Sequence, residues 1–123
     1  MIVCHLTNDS SLDYIKENGL VPQIGLNQKY YCVKYHLRMP TTPIIYFCLE
    51  NEVVEWSKRL YEKSICLICD IPKEMLKKRK NGELLEIGCF ENVPFEFVKD
   101  IQPLEVCWHE NPLRAYKIRN QGS

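Results

Sequence analysis

Three sets of side chains in this sequence have types and spacings suited to chemistry, and the first lies near the amino terminus. His5 and Thr7 are separated by one residue in the β-branched segment MIVCHLT. Alternate side chains of a strand point to one face, so an imidazole and a hydroxyl would enter the same pocket. There they would bind ribose hydroxyls or an amide. The alternative is a strand-end histidine hydrogen-bonded to backbone, and H-x-T alone is a weak motif.

An aromatic ring and three carboxylates form the other two sets. Tyr46 lies in the middle of IIYFCL, where a strand would give it the same face as Ile44 and Cys48. Its ring could stack on a flat heterocycle, although a core position is the simpler interpretation. A carboxylate next to a sugar stabilises positive charge at the anomeric carbon. The candidates, each of which is otherwise an ordinary solvated side chain, are Glu83, Glu86 and Glu91.

Cations and aromatic rings alternate in an irregular segment that spans residues 22–43. Between Asn27 and Arg38 the sequence is NQKYYCVKYHLR. This mixture suits base stacking and phosphate contacts, and its alternative is a solvated loop over the core. A second basic run, Lys77–Lys80, is predicted to be an exposed turn rather than a nucleic-acid patch because the chain has no net charge.

Composition narrows the class of protein. The 123 residues include 16 basic and 16 acidic ones, which argues against a generally basic nucleic-acid binder. The first residues lack a signal-peptide pattern and no apolar run could cross a bilayer, so we expect a cytoplasmic protein without membrane contact.

Most of the seven cysteines lie in apolar runs and are expected to be free core thiols. Cys66 and Cys69 form a C-x-x-C, but the chain offers no second pair of zinc ligands, so a buried strand is favoured over a metal or redox site.

The elements that position these residues follow from periodicity and turn chemistry. Short apolar runs predict strands at residues 1–7, 44–49, 64–71, 83–90 and 99–107. A first helix follows the polar cap residues 8–11 and ends at Gly19, with Leu12, Ile15 and Tyr14 as its apolar set. A second helix is predicted over 52–62. The order indicates a mixed α+β domain over residues 1–110 and a polar tail over 111–123.

Taken in order, these segments resemble the ADP-ribosyltransferase-like superfamily over about residues 2–107. VCHLTNDSSLDYIKENGLVPQIG is similar to its opening strand and helix, and PIIYFCLENEVVEWSKRLY to its second strand and helix. SICLICDIP resembles its next strand, and ELLEIGCFENVPFEFVKDIQPLEV its closing strands. The resemblance implies split mixed β-sheets with two or three flanking helices and an NAD cleft between them.

The resemblance also implies NAD contacts of the histidine-tyrosine-glutamate branch. His5, with Thr7 beside it, would anchor NAD through its ribose and carboxamide, and Tyr46 would pack against nicotinamide. In the irregular segment, Arg38 loosely matches an arginine important for catalysis in DNA-targeting relatives. The cations and aromatic rings of the same segment, with Tyr35 among them, could also bind the NAD pyrophosphate.

The catalytic carboxylate of the family matches best at Glu86, seven residues before Val93. It would hold the nicotinamide-ribose hydroxyl and stabilise positive charge as nicotinamide leaves. Glu83 and Glu91 remain alternatives at this point. Chemistry of this kind needs no metal and no covalent enzyme nucleophile, so NAD as substrate is the one small molecule expected.

Departures from the family pattern narrow the choice among its branches. H-L-T replaces the commoner H-G-T or H-G-S, and the absence of a first-strand arginine and an S-T-S argues against the arginine-serine-glutamate branch. The predicted function is an ADP-ribosyltransferase that passes ADP-ribose to a protein or nucleic acid, as a bacterial or phage effector. Two alternatives stay open: a non-catalytic nucleotide- or peptide-binding module on the same fold, and an NAD-dependent RNA 2′-phosphotransferase, whose basic set has only His36 and Arg38 as candidates.

Overall fold

Six strands run through the residues that the computed structural model describes, which are 1–24, 32–34, 36, 42–60 and 63–104. The strands are β1 (Ile2–Thr7), β2 (Ile45–Phe47), β3 (Ile65–Asp70), β4 (Lys77–Asn81), β5 (Leu84–Cys89) and β6 (Val98–Pro103). They form a first sheet of order β1-β3-β6 and a second sheet of order β2-β5-β4. Antiparallel sheets combined with short helices confirm the α+β class. The expectation of mixed sheets is wrong, because every pair of these strands is antiparallel.

Short helices follow β1 and β2. Helix α1 spans Leu12–Asn18 after a 3-10 turn at Asp9–Ser11, and α2 spans Val53–Arg59 after a 3-10 turn at Glu50–Glu52. Ile15 is buried as predicted, whereas Tyr14 is 52% exposed and does not belong to the core. Within the described residues, no helix has both the length and the apolar character needed to cross a membrane.

The 3-10 turn that leads into α1 is capped by a residue distant in sequence. The polar residues 8–11 predict a local side-chain cap, but neither Asn8 nor Ser11 makes one. The Asp9 N–H instead donates to the Ser64 hydroxyl at 2.9 Å. The first N–H groups of a helical segment have no acceptor within that segment, so they need one from outside. Ser64, which is 55 residues away in sequence, supplies it here.

Gly19 ends α1, as predicted, with φ of +75°. We expect Gly19→Ala to lower the free energy of unfolding by about 2 kcal/mol or more, because an added Cβ would be strained at this φ and would run into the Val93 carbonyl oxygen. Gly82 is the matched control, since it has φ of +65° but open space around it. Urea denaturation should place the cost of Gly82→Ala near 1 kcal/mol. Equal costs for the two variants would contradict the crowding at Gly19.

Hydrophobic clusters cover both faces of the first sheet. The cluster between the two sheets and α1 includes Val3, Ile15, Ile45, Phe47, Leu67, Cys69 and Ile87. The cluster under α2 includes Cys4, Leu6, Cys48, Val53, Cys66 and Ile68. Because β3 lies between them, five of its six residues are buried, and each fully buried leucine or isoleucine contributes about 2 kcal/mol.

The C-x-x-C of β3 is part of this core. Cys66 and Cys69 are both fully buried, and a three-residue separation in a strand turns their side chains to opposite faces. Cys66 packs under α2, while Cys69 packs between the sheets. Burial raises the pKa of the Cys69 thiol, as expected of an inert core residue. The prediction of a buried strand is therefore confirmed.

The basic run Lys77–Lys80 is a strand and not the predicted turn. These residues form most of β4, which pairs antiparallel with β5 in a hairpin. The turn comes later, at Gly82 and Glu83, where the glycine takes a positive φ of 65°. Glycine at the first position of a two-residue loop is typical of a hairpin turn. The exposure predicted for the run is confirmed, since all four side chains are exposed.

Candidate active site

The two sheets meet where β1 passes β2. Cys4 and Cys48 form an isolated antiparallel bridge, in which each N–H donates to the other residue's carbonyl at 2.8 Å. β1 and β2 are both outer strands of their sheets, and this single pair joins them. We call it the strand junction. The pairing does not extend into a ladder, so β1 and β2 belong to two different sheets.

His5 lies next to the strand junction and connects β1 to β2. Its Nδ1 is 2.7 Å from the Tyr46 carbonyl oxygen, and its ring centroid is 5.6 Å from that of Phe47 at an interplanar angle of 58°. A carbonyl can only accept, so Nδ1 carries the proton and donates it. The neutral ring then keeps a lone pair on Nε2, which can accept a hydrogen bond from a hydroxyl or amide.

Burial keeps this imidazole neutral. It lowers the pKa of His5 to about 4, and the nearby charge of Lys63 acts in the same direction. The hydrogen bond to the Tyr46 carbonyl opposes this shift but is outweighed. At neutral pH, His5 is therefore an acceptor at Nε2 and not a cation.

Tyr46, Glu86 and Arg79 share one face of the second sheet. Tyr46 pairs with Gly88, and Glu86 lies two residues before Gly88 on the same side of β5. Arg79 is directly opposite Glu86 in the neighbouring strand β4. We call this surface the Tyr46 face. The residues between these positions, such as Phe47 and Ile87, point to the core.

An ion pair fixes the carboxylate on the Tyr46 face. The Arg79 Nη2 and Nε atoms lie 2.6 Å and 2.9 Å from Glu86 Oε2. The Glu86 side chain is 17% exposed, against 76% for Arg79. The hydrogen bond and charge of Glu86, with a smaller contribution from Tyr46, raise the pKa of the Arg79 guanidinium. Both contacts fall on Oε2.

Glu52 holds the backbone beside Glu86. Its Oε1 accepts the Leu85 N–H at 2.7 Å, so this side chain continues the ladder of β5 where β2 has ended. We expect Glu52→Ala to lower the free energy of unfolding by about 2 kcal/mol, because a half-buried N–H loses a charged acceptor. Glu52→Gln keeps an acceptor oxygen and should lose less than half of that.

The matched control for Glu52 is Glu55 in α2. Glu55 makes an exposed ion pair with Lys58 at 3.4 Å, so Glu55→Ala should cost less than about 0.5 kcal/mol. Urea denaturation at neutral pH measures the free energy of unfolding of Glu52→Ala, Glu52→Gln and Glu55→Ala. Equal losses for Glu52→Ala and Glu55→Ala would show that the Leu85 contact does not support β5.

The predicted histidine, tyrosine and glutamate are not all on one face. Tyr46 and Glu86 come together on the Tyr46 face. His5 contacts the Tyr46 backbone, but its ring packs against Phe47, whose side chain alternates to the opposite side of β2. The imidazole therefore lies at the strand junction, on the side of β2 opposite to the Tyr46 face.

The remaining predicted site residues are more scattered. Thr7 is 8% exposed at the end of β1. Glu83 is exposed in the hairpin turn, and Glu91 is exposed after β5, so of the three glutamates Glu86 alone lies on a strand of the second sheet. Tyr35 and Arg38 lie outside the described residues, as does most of the basic aromatic segment.

Arg79 and Glu52 are the site residues that sequence reasoning missed. The signal for Arg79 was the glycine at residue 82, which predicts a hairpin between KKRKN and ELLEI and so places Arg79 opposite Glu86. No local signal pointed to Glu52, since its partner lies 33 residues away.

Two further observations concern ligands elsewhere in the fold. A shallow hollow of about 310 Å³ on β6 is lined by Phe95, Val98, Lys99, Asp100 and Ile101, none of which was predicted to act. Among the described residues, no three histidine, cysteine, aspartate or glutamate side chains gather closely enough to hold a metal ion.

Comparison of the chain with known protein families, with curated proteins and with solved structures found no match.

Proposed function

We propose that this chain is an NAD-dependent ADP-ribosyltransferase, which moves ADP-ribose from NAD to a macromolecular acceptor and releases nicotinamide. The observation that carries the proposal is the placement of Tyr46 and Glu86 on one sheet face beside the strand junction. Two antiparallel sheets joined by one isolated backbone pair also agree with the split-sheet fold implied by the resemblance, which is part of the same proposal.

Each group has a defined task in this proposal. The nicotinamide ribose lies on the Tyr46 face, where the Tyr46 ring packs against nicotinamide. Glu86 Oε1 accepts the ribose hydroxyl, and the carboxylate stabilises the positive charge that develops as nicotinamide leaves. His5 Nε2 accepts a hydrogen bond from NAD beside the strand junction. Arg79 orients the Glu86 carboxylate through the ion pair at Oε2.

Nicotinamide release is the direct test. Purified protein is incubated with NAD, first alone and then with protein, single-stranded DNA or RNA as acceptor. Release of nicotinamide together with transfer of adenine-labelled ADP-ribose to one acceptor class is the expected result. Sensitivity of the labelled product to protease or nuclease identifies the acceptor. The absence of nicotinamide release with every acceptor would reject the proposal.

One observation favours a second candidate, a binding module that holds a nucleotide or peptide without reacting. His5 packs on the Phe47 side of β2, whereas Tyr46 and Glu86 lie on the other side. If the imidazole and the carboxylate do not act on one substrate, binding occurs without bond cleavage. Calorimetry that shows nucleotide binding, combined with no nicotinamide release, would support this candidate over the enzyme.

A further inference from the structure

The outer edge of the second sheet carries four consecutive cations. β4 is the last strand in the order β2-β5-β4, so one of its sides is not paired with another strand of the sheet. Lys77, Lys78, Arg79 and Lys80 occupy it, and all four are exposed. Side chains alternate along a strand, so these cations project from both faces of the same edge. We call this surface the β4 edge.

Three of these charges have no partner within the described part of the chain. Arg79 pairs with Glu86, but no carboxylate of the described residues lies within ion-pair distance of Lys77, Lys78 or Lys80. The whole chain is electrically neutral, with 16 cations and 16 anions. A quarter of its cations therefore lies on four consecutive residues of β4.

The length of this charged run corresponds to about three phosphates of a nucleic-acid backbone. A strand rises about 3.3 Å per residue, so the four cations extend over about 10 Å. Each strand of a duplex carries one phosphate per about 3.4 Å of axis, so about three phosphates face the same length. We infer that the β4 edge binds the phosphate backbone of a nucleic acid. Because Arg79 belongs to both surfaces, the bound strand would lie next to the Tyr46 face.

Charged edge strands have another known role. Lysines on an outer strand prevent a second chain from adding to the sheet. That role accounts for lysines on β4 but requires no affinity for a polyanion. Binding measurements on the β4 edge distinguish the two roles.

The experiment measures binding in the absence of NAD, so that its outcome is independent of the proposed function. Fluorescence anisotropy follows a labelled 20-nucleotide single strand and a 20-base-pair duplex, with the full chain at 50 to 200 mM salt. The test variant is Lys77→Gln/Lys78→Gln/Lys80→Gln. The control, Lys16→Gln/Lys58→Gln/Lys99→Gln, removes three exposed lysines from other elements and changes the net charge equally.

Loss of three phosphate contacts should reduce the slope of log affinity against log salt by about 2 for the single strand and about 3 for the duplex. Over a fourfold increase in salt, the native chain should therefore lose about 20-fold to 40-fold more affinity than the test variant. The control variant and Lys77→Arg/Lys78→Arg/Lys80→Arg should keep the native slope.

Two results would overturn the inference. The first is an equal salt slope for the test and control variants, both shown to be folded by thermal unfolding. The second is displacement of the labelled strand by polyglutamate as effectively as by unlabelled oligonucleotide of equal charge, which would indicate an acidic protein segment as the partner.

Discussion

Glu86→Gln is expected to lower the rate of nicotinamide release by at least about 100-fold, with the fold retained. Removal of one electrostatic group aimed at developing charge costs catalysis about 10²-fold to 10³-fold. Glutamine keeps the size of the side chain and a carbonyl oxygen, so the ribose hydroxyl can still be bound while the negative charge is lost. The loss should therefore appear in kcat more than in KM.

Glu83→Gln and Glu91→Gln are the matched controls for this prediction. Both glutamates are exposed and lie outside the strands, so each variant should keep nicotinamide release within about twofold of the native rate. The Arg79 partner of Glu86 is mostly exposed, so loss of that ion pair should cost at most about 1 kcal/mol of stability. Full activity of Glu86→Gln, or a larger loss in either control, would assign the catalytic carboxylate to a different residue.

The second large effect is a loss of stability in mild acid that depends on His5. Burial lowers the folded-state pKa of His5 to about 4, whereas the unfolded chain has the ordinary value of 6.5. The unfolded state therefore binds the proton first as the pH falls. The contribution of neutral His5 to the free energy of unfolding is fully present above about pH 7 and is lost as the pH falls from 6.5 to 4. Below about pH 4, this group changes the stability no further. The full loss is about 3 kcal/mol.

Urea denaturation at a series of pH values measures this effect. Between pH 6.5 and 5, where few carboxylates titrate, the native chain should lose about 2 kcal/mol. His5→Gln should flatten this part of the curve, because glutamine does not titrate and its amide can still donate toward the Tyr46 carbonyl. His36→Gln, at an exposed position, is the control and should follow the native curve. The same slope in His5→Gln as in the native chain would show that another group causes the acid sensitivity.

The secondary structure was largely predictable because it depends on local patterns. The run SICLICDI predicts a strand buried on both faces, and β3 is such a strand. Gly19 predicts the end of α1, since the left-handed conformation there favours glycine. The turn prediction was wrong for Lys77–Lys80, because the tight turn at Gly82 makes this run one arm of a hairpin with β5.

Amino-acid types and spacing by themselves determined which side chains had the chemistry for a site, the α+β class and the positions of most strands. Only the tertiary structure decided how those side chains group. Pairing of β5 with both β2 and β4 placed Glu86 beside Tyr46 and opposite Arg79, and the strand junction placed His5 on the Phe47 side of β2. The physical reason is that strand order and register come from contacts between segments far apart in the chain, whereas periodicity and turn chemistry report on near neighbours alone.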